Sequence, residues 1–137
     1  MKPAPHLFTV RVYYEDTDFS GVVYHGSYLH FIERARTELL RSLGIHQGAI
    51  LAGQSGEVFG FMVRSMTVDF LRPARMDDEL TVETRPLVVG GASVDLAQRV
   101  LRGDEVLVAA RVKVASVAGG RVARLPDWIR AKFAAAS

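Results

Sequence analysis

Cysteine is absent from the 137 residues, which removes disulfide frameworks, thiolate nucleophiles and Cys-ligated zinc together and suits a reducing compartment. Lysine is scarce: of 17 basic residues only Lys2, Lys113 and Lys132 are not arginine. The formal net charge of +2 leaves no broad basic footprint for nucleic acid. No apolar run approaches the ~20 residues of a membrane span, and Met1–Pro5 passes into patterned sequence without a basic-then-apolar leader. A Gly-x-Ser-x-Gly elbow, a phosphate loop and a dinucleotide fingerprint are all missing. Serine-hydrolase, kinase and dehydrogenase chemistry are thereby disfavoured, and a cytoplasmic protein with no membrane span and no nucleic-acid partner is expected.

What is present fits one domain over residues 1–137, since a chain of this length supplies one core and little more. The hydrophobic fraction is 49% and the charged fraction 23%, which suits a folded domain needing no staple. Leu7–Tyr14 alternates aromatic and β-branched residues as a strand does. Glu15–Ser27 is a loop of acids and small residues. Ser27 then serves as an N-cap and Gly44 as the C′ stop of a helix. Between them Tyr28, Ile32, Ala35, Leu39 and Leu43 recur at helical period, widened by Leu29, Phe31 and Leu40. So broad an apolar face predicts a largely buried helix of about sixteen residues, roughly 24 Å long.

His46–Phe59 reads as an irregular connection, and strands follow. They are expected over Phe61–Leu71, Leu80–Val89, Ser93–Leu101 and the alternating Val106, Val108, Ala110, Val112 and Val114, with hairpin turns at Gly90-Gly91 and Gly103-Asp104. A short strand after Gly119-Gly120 and a terminal helical turn or two over Pro126–Ala134 close the chain. Parallel βαβ repetition is absent, so the class is α+β: one long buried helix against one curled antiparallel sheet of about five strands. An exposed sheet edge invites a second copy, and a homo-oligomer, dimer or homotetramer, is expected.

Chemistry concentrates between Tyr13 and Ser27. Asp18 sits in a Gly-bearing loop where a carboxylate can act as nucleophile or general base. Most loop aspartates merely hold turns, and Asp16 is a rival two residues away. Crowding by Glu15 and Asp16 is expected to raise a carboxylate pKa here. Glu33, in the helix, is a second rival, with an ion pair to Arg34 or Arg36 as its plainer role. Asp16, Asp18, His25 and His30 lack metal-ligand spacing, so neither metal nor cofactor is expected.

The run Val12-Tyr13-Tyr14-Glu15-Asp16-Thr17-Asp18, then Gly21-Val22-Val23-Tyr24-His25, Tyr28 and Glu33-Arg34-Ala35-Arg36, resembles the hotdog-fold acyl-CoA thioesterases. Within them it is most similar to the branch of 4-hydroxybenzoyl-CoA thioesterase and the thioesterase encoded beside the Tol–Pal envelope system. Arg64-Ser65-Met66-Thr67-Val68, Arg72-Pro73-Ala74-Arg75 and Leu125-Pro126 extend the likeness over nearly the whole chain. The resemblance implies a hotdog fold and hydrolysis of an acyl thioester of coenzyme A or acyl carrier protein. It implies Asp18 as the catalytic carboxylate, with Asp16 left to bond loop amides. The backbone N–H of His25 becomes the oxyanion donor ahead of the helix, and the His25 and Tyr14 side chains support the reaction. Ser65 and Met66 would line the thioester channel, while Arg64, with Arg72, Arg75 and Arg102, is available to CoA phosphates. Two other readings compete: a hydratase or dehydratase of acyl thioesters, and a non-catalytic thioester- or protein-binding module.

Overall fold

The computed structural model describes residues 2–54 and 56–137. Its elements are β1 (His6–Arg11), α1 (His25–Ser42), α2 (Gln47–Leu51), β2 (Gly60–Phe70), β3 (Glu79–Val89), β4 (Ser93–Arg102), β5 (Glu105–Ala118), β6 (Arg121–Val122) and α3 (Asp127–Ala136). The strands form one antiparallel sheet in the order β1-β3-β4-β5-β2, with β6 added to β5. The α+β class and the single long helix on a single sheet are as expected.

Alternation decides which face of the sheet is covered. Leu80, Val82 and Thr84 of β3 and Val94, Leu96, Gln98 and Val100 of β4 are buried, one residue in two, as a pleat with one dry face requires. Pro86 lies inside β3, where a proline cannot donate to a ladder. It is tolerated because β1 reaches only to Thr84, so the donor-less side of Pro86 has no strand to serve. Both glycine-marked hairpins are present: Gly90 N–H donates to Ser93 O at 2.8 Å, and Gly103, at φ 60°, turns β4 into β5.

The helix α1 packs on β1, β3 and β4. Tyr28, Phe31, Ile32 and Ala35 enter one core cluster with Val12, Leu80 and Val82. Leu39 and Leu40 join a second, where Ile129 and Phe133 of α3 meet Leu96 and Leu125. Polar bonding crosses this interface too. Gln98 is fully buried, and its amide nitrogen donates to Ile32 O and Thr84 Oγ1, each at 3.0 Å. Its oxygen accepts from Arg36 Nη1 at 3.1 Å. One side chain of β4 thus fixes the helix, β3 and a charged residue of α1 at once.

Four expectations differ. The helix begins at His25 with Tyr24 as N-cap, two residues before Ser27, and no side chain caps it. His46–Phe59 contains the short helix α2, anchored by buried Ile50. Tyr14 is not at the end of a strand: β1 stops at Arg11, and Tyr14–Asp16 forms one 3₁₀ turn. The terminal helix α3 is also longer than a turn or two, at 10 residues.

Ile32 has no exposed surface and sits where α1 meets the sheet, so Ile32→Ala is expected to cost about 2–5 kcal/mol of stability. Urea unfolding of the two proteins, compared at equal m-values, measures that difference.

Candidate active site

The loop between β1 and α1 is a narrow hairpin strapped to the body of the protein. Asp18 N–H donates to Val22 O at 2.9 Å, Tyr24 N–H to Asp16 O at 2.9 Å, and Val23 N–H to Ala74 O at 2.9 Å. Thr17 bridges Val23, and Val22 bridges Arg75. Val23 is buried in the core, so an apolar side chain plugs the loop into place. On the far side Ala74 N–H donates to the Tyr28 hydroxyl at 2.8 Å. Burial raises the pKa of that phenol.

The next turn carries the strap's ionic support. Arg75 N–H donates to Asp78 Oδ2 at 2.9 Å, and Arg102 Nη1 donates to the same oxygen at 2.8 Å. The Arg75 amide and the Arg102 guanidinium hold the Asp78 carboxyl below its ordinary range. A carboxylate depressed in the folded state stabilises it above the unfolded pKa, and that contribution is lost as pH falls through the folded value.

Asp18 accepts from Ser20 N–H at 2.8 Å and from Ser20 Oγ at 2.5 Å, both on Oδ1. Those two bonds lead the causes that lower its pKa, and the expected rise from like-charge crowding is corrected. Neighbouring acids are turned away: the Asp16 carboxylate accepts from Tyr13 N–H at 2.8 Å, the amide-bonding role expected of it. Among the described residues no hydrogen bond within 3.5 Å reaches Oδ2 of Asp18, although the Val22 N–H is near enough to the carboxylate to lower its pKa further. A carboxylate with one oxygen tethered and one bare is ionised, oriented and open to a ligand.

The depression around Asp18 is lined by Tyr14, Thr17, Phe19, Gly21 and Met76. Tyr14 and Asp18 therefore share a surface. His25 stands outside it, in the first turn of α1, its ring 4.3 Å from that of Tyr24 and 6.1 Å edge-on from that of Phe70. The amides of His25 and Gly26 take no acceptor among the described residues, so the helix start offers free donors and the positive end of its dipole. A Cβ on Gly26 would stand 2.6 Å from the Tyr24 ring, so glycine there lets that ring fold over the first turn.

Arg64, Ser65 and Met66 lie on β2 and do not line the Asp18 depression. Val63 pairs with Val114 and Ser65 with Lys113, so Arg64 is the extra residue of a bulge on a free edge. Arg72 and Arg102 are paired with Glu105, and Arg102 with Asp78. Glu33 makes no ion pair within 4.0 Å among the described residues, so its expected partnership with Arg34 or Arg36 is not formed. Arg36 turns instead to Gln98. No group of three or more His, Asp and Glu among the described residues is placed to hold a metal ion.

A sequence profile described as the thioesterase superfamily matches residues 20–109, more than half of the chain. The chain belongs to the thioesterase superfamily. It is 45% identical over 128 residues to the acyl-CoA thioesterase YbgC of Haemophilus influenzae, covering 92% of each protein. It is 48% identical over 99 residues to the acyl-CoA thioester hydrolase YbgC of an Escherichia coli O6:H1 strain, covering 72% of this chain and 71% of that one. Among solved structures, a probable thioesterase from Bartonella henselae superposes with a TM-score of 0.86 at 45% identity, covering 90% of this chain and all of that one. The hotdog fold and the thioester-hydrolase class expected from the sequence are borne out. No helix is long and apolar enough to cross a membrane.

Removing the Ser20 hydroxyl takes away the largest influence on Asp18. In Ser20→Ala the Asp18 pKa is expected to rise toward the ordinary carboxylate value, read by carboxyl-carbon NMR titration. An unchanged titration would show that the loop, not the serine, sets the charge.

Proposed function

We propose that the chain hydrolyses acyl-CoA thioesters to free acid and CoA, with Asp18 as the reactive carboxylate. The observation that carries this is the bare Oδ2 of an otherwise tethered, ionised Asp18 in an open depression. The named relatives act on acyl-CoA, which supports the thiol partner; acyl carrier protein is the alternative carrier.

The lowered pKa of Asp18 bears on mechanism. The Ser20 bonds favour the ionised form that either route needs, and an ionised carboxylate is a nucleophile toward a thioester with a good leaving group. In the favoured route Oδ2 attacks the thioester carbon. The tetrahedral oxyanion is met by the His25 amide at the helix start, and collapse expels the CoA thiolate to leave a mixed anhydride. Water then cleaves the anhydride, restoring the aspartate and releasing the acid. Tyr14, on the lip of the same depression, and the His25 ring bound the thioester, while Ser65 and Met66, outside that depression in one chain, are left to the part of the channel that a second copy brings. Arg64 is available to the CoA phosphates as a bidentate donor.

A single chain leaves this site half built. Phe19 is 105% exposed and Tyr14 82%, while Met62, Val63, Phe70 and Leu71 are exposed along or beside the free edge of β2. Apolar surface flanking an open strand edge is the pattern of a subunit contact. The reading is a homo-oligomer, built on a dimer and open to pairing as a tetramer, in the cytoplasm. Sedimentation at micromolar concentration is expected to give at least twice the chain mass.

Asp18→Asn is expected to keep the fold, by circular dichroism, and to lower thiol release from the best acyl-CoA by about a thousandfold or more. In a single turnover by the unsubstituted protein, free thiol is expected to appear before free acid. Simultaneous release would replace the nucleophile with a base. No cleavage across an acyl-CoA panel would remove the hydrolase reading altogether.

A further inference from the structure

Away from the Asp18 loop, a cavity of about 290 Å³ lies between α1 and the strands β2, β4 and β5. Its walls are apolar (Leu40, Phe61, Met62, Val94 and Phe133 among them), and one of its polar groups is Arg36. A half-buried guanidinium in such walls normally meets a carboxylate, because an uncompensated charge is poorly solvated there. Arg36 meets none within 4.0 Å among the described residues. Its hydrogen bond goes to the neutral Oε1 of Gln98 at 3.1 Å, which leaves most of its five N–H donors for another acceptor. Burial also pushes its pKa down, against a weaker opposing influence from Glu33. Glu33 shares the cavity wall but is exposed, so water screens it.

The orientation of Arg36 is built rather than incidental. Gln98 is fully buried, and both protons of its amide are committed, to Ile32 O and to Thr84 Oγ1. Its oxygen is thereby fixed toward Arg36, and the guanidinium is held at the cavity instead of extending into water.

The edge strand relates this cavity to the reactive loop. The ring of His25 rests against Phe70 at one end of β2, and Met62 and Val63 form the cavity's wall near the other end. An antiparallel pairing of the free β2 edge with β2 of a second copy would run the Phe70 end of one strand toward the Met62 end of the other. Such a pairing would bring the His25 end of one copy toward the cavity mouth of the other.

We propose that this cavity receives the far end of the acyl group, and that Arg36 selects acyl chains ending in a carboxylate. The substrate class is the CoA monothioester of a short dicarboxylic acid: apolar methylenes against Met62 and Phe61, and a terminal carboxylate on the free edge of the Arg36 guanidinium. The inference rests on the hydrolase reading and on the second copy. It goes beyond them in naming the acyl group.

The test compares glutaryl- and adipyl-CoA with pentanoyl- and hexanoyl-CoA, their plain counterparts of equal carbon number. At least one dicarboxylic thioester is expected to be preferred in kcat/KM by about tenfold or more, as a site built to bond a polar group rejects the analogue lacking it. Arg36→Met is expected to reduce that ratio at least about tenfold, and Arg36→Lys to retain part of it. Thermal unfolding confirms that each variant folds. Hydrolysis of plain acyl-CoA without any such preference would overturn the proposal and leave the hydrolase reading standing. A second readout needs no turnover: free adipate titrated into the whole protein is expected to shift the methyl resonances of Met62 and Val63, and not in Arg36→Met. Absence of that shift in the unsubstituted protein would overturn the proposal even if hydrolysis were never seen.

Discussion

The backbone of Ala74 is bonded on both sides, and the loop that carries Asp18 depends on it. Its N–H is satisfied by the Tyr28 hydroxyl of α1 and its carbonyl by Val23 of the loop. Ala74 has no exposed surface, so either group left unpaired would cost about 1–3 kcal/mol. One residue therefore holds the helix, the turn entering β3 and the hairpin carrying Asp18 in a single arrangement. The Asp78–Arg102 pair fixes the turn from outside, with Arg102 also reaching Pro73 O. The spacing between a carboxylate in a loop and an amide at a helix start is thus set by buried hydrogen bonds, not by the stiffness of the loop. A glycine such as Gly21, at φ 84°, then shapes the hairpin without leaving it free to move.

What was legible in the sequence follows from which forces are local. The stripe Tyr28, Ile32, Ala35, Leu39 and the alternation of Val94, Leu96 and Val100 announce burial directly, because periodicity mirrors geometry. The start of α1 was misplaced for a local reason. Ser27 has the chemistry of an N-cap, yet Tyr24 takes that place without a side-chain bond because its own N–H is anchored on Asp16 O. The short α2 was missed because five residues nucleate poorly alone, and what holds them is burial of Ile50. Asp18 stands out only through its motif, and its lowered pKa runs against the crowding of acids around it. Counting nearby acids cannot show that Asp16 faces Tyr13 or that Ser20 folds back on Oδ1.

Arg36 illustrates the same limit from the opposite direction. By helical period it belongs to the polar side of α1 with Glu33, Arg34 and Arg41, and nothing within α1 marks it as different. Its burial is decided by Gln98, a residue 62 positions away whose own place is fixed by the pairing of β4 with β3 opposite Thr84. Long-range register, which no local pattern encodes, turned a surface-type arginine into the lining of a cavity.

The tethering of Asp18 makes sense in these terms. In the single chain Asp18 is partly exposed, and two bonds from Ser20 favour its ionised form. Under the proposed reading, a second copy and an acyl thioester would cover the depression and exclude solvent, and desolvation raises a carboxylate pKa. The Ser20 bonds act in the opposite sense and are strengthened as the local dielectric falls. They lie on Oδ1, so the charge is protected without occupying Oδ2, the oxygen that the proposed route uses. A loop with the same Asp18 but no Ser20 would lack that opposing influence, and under the proposed reading its charge would be the more weakened by closure of the site.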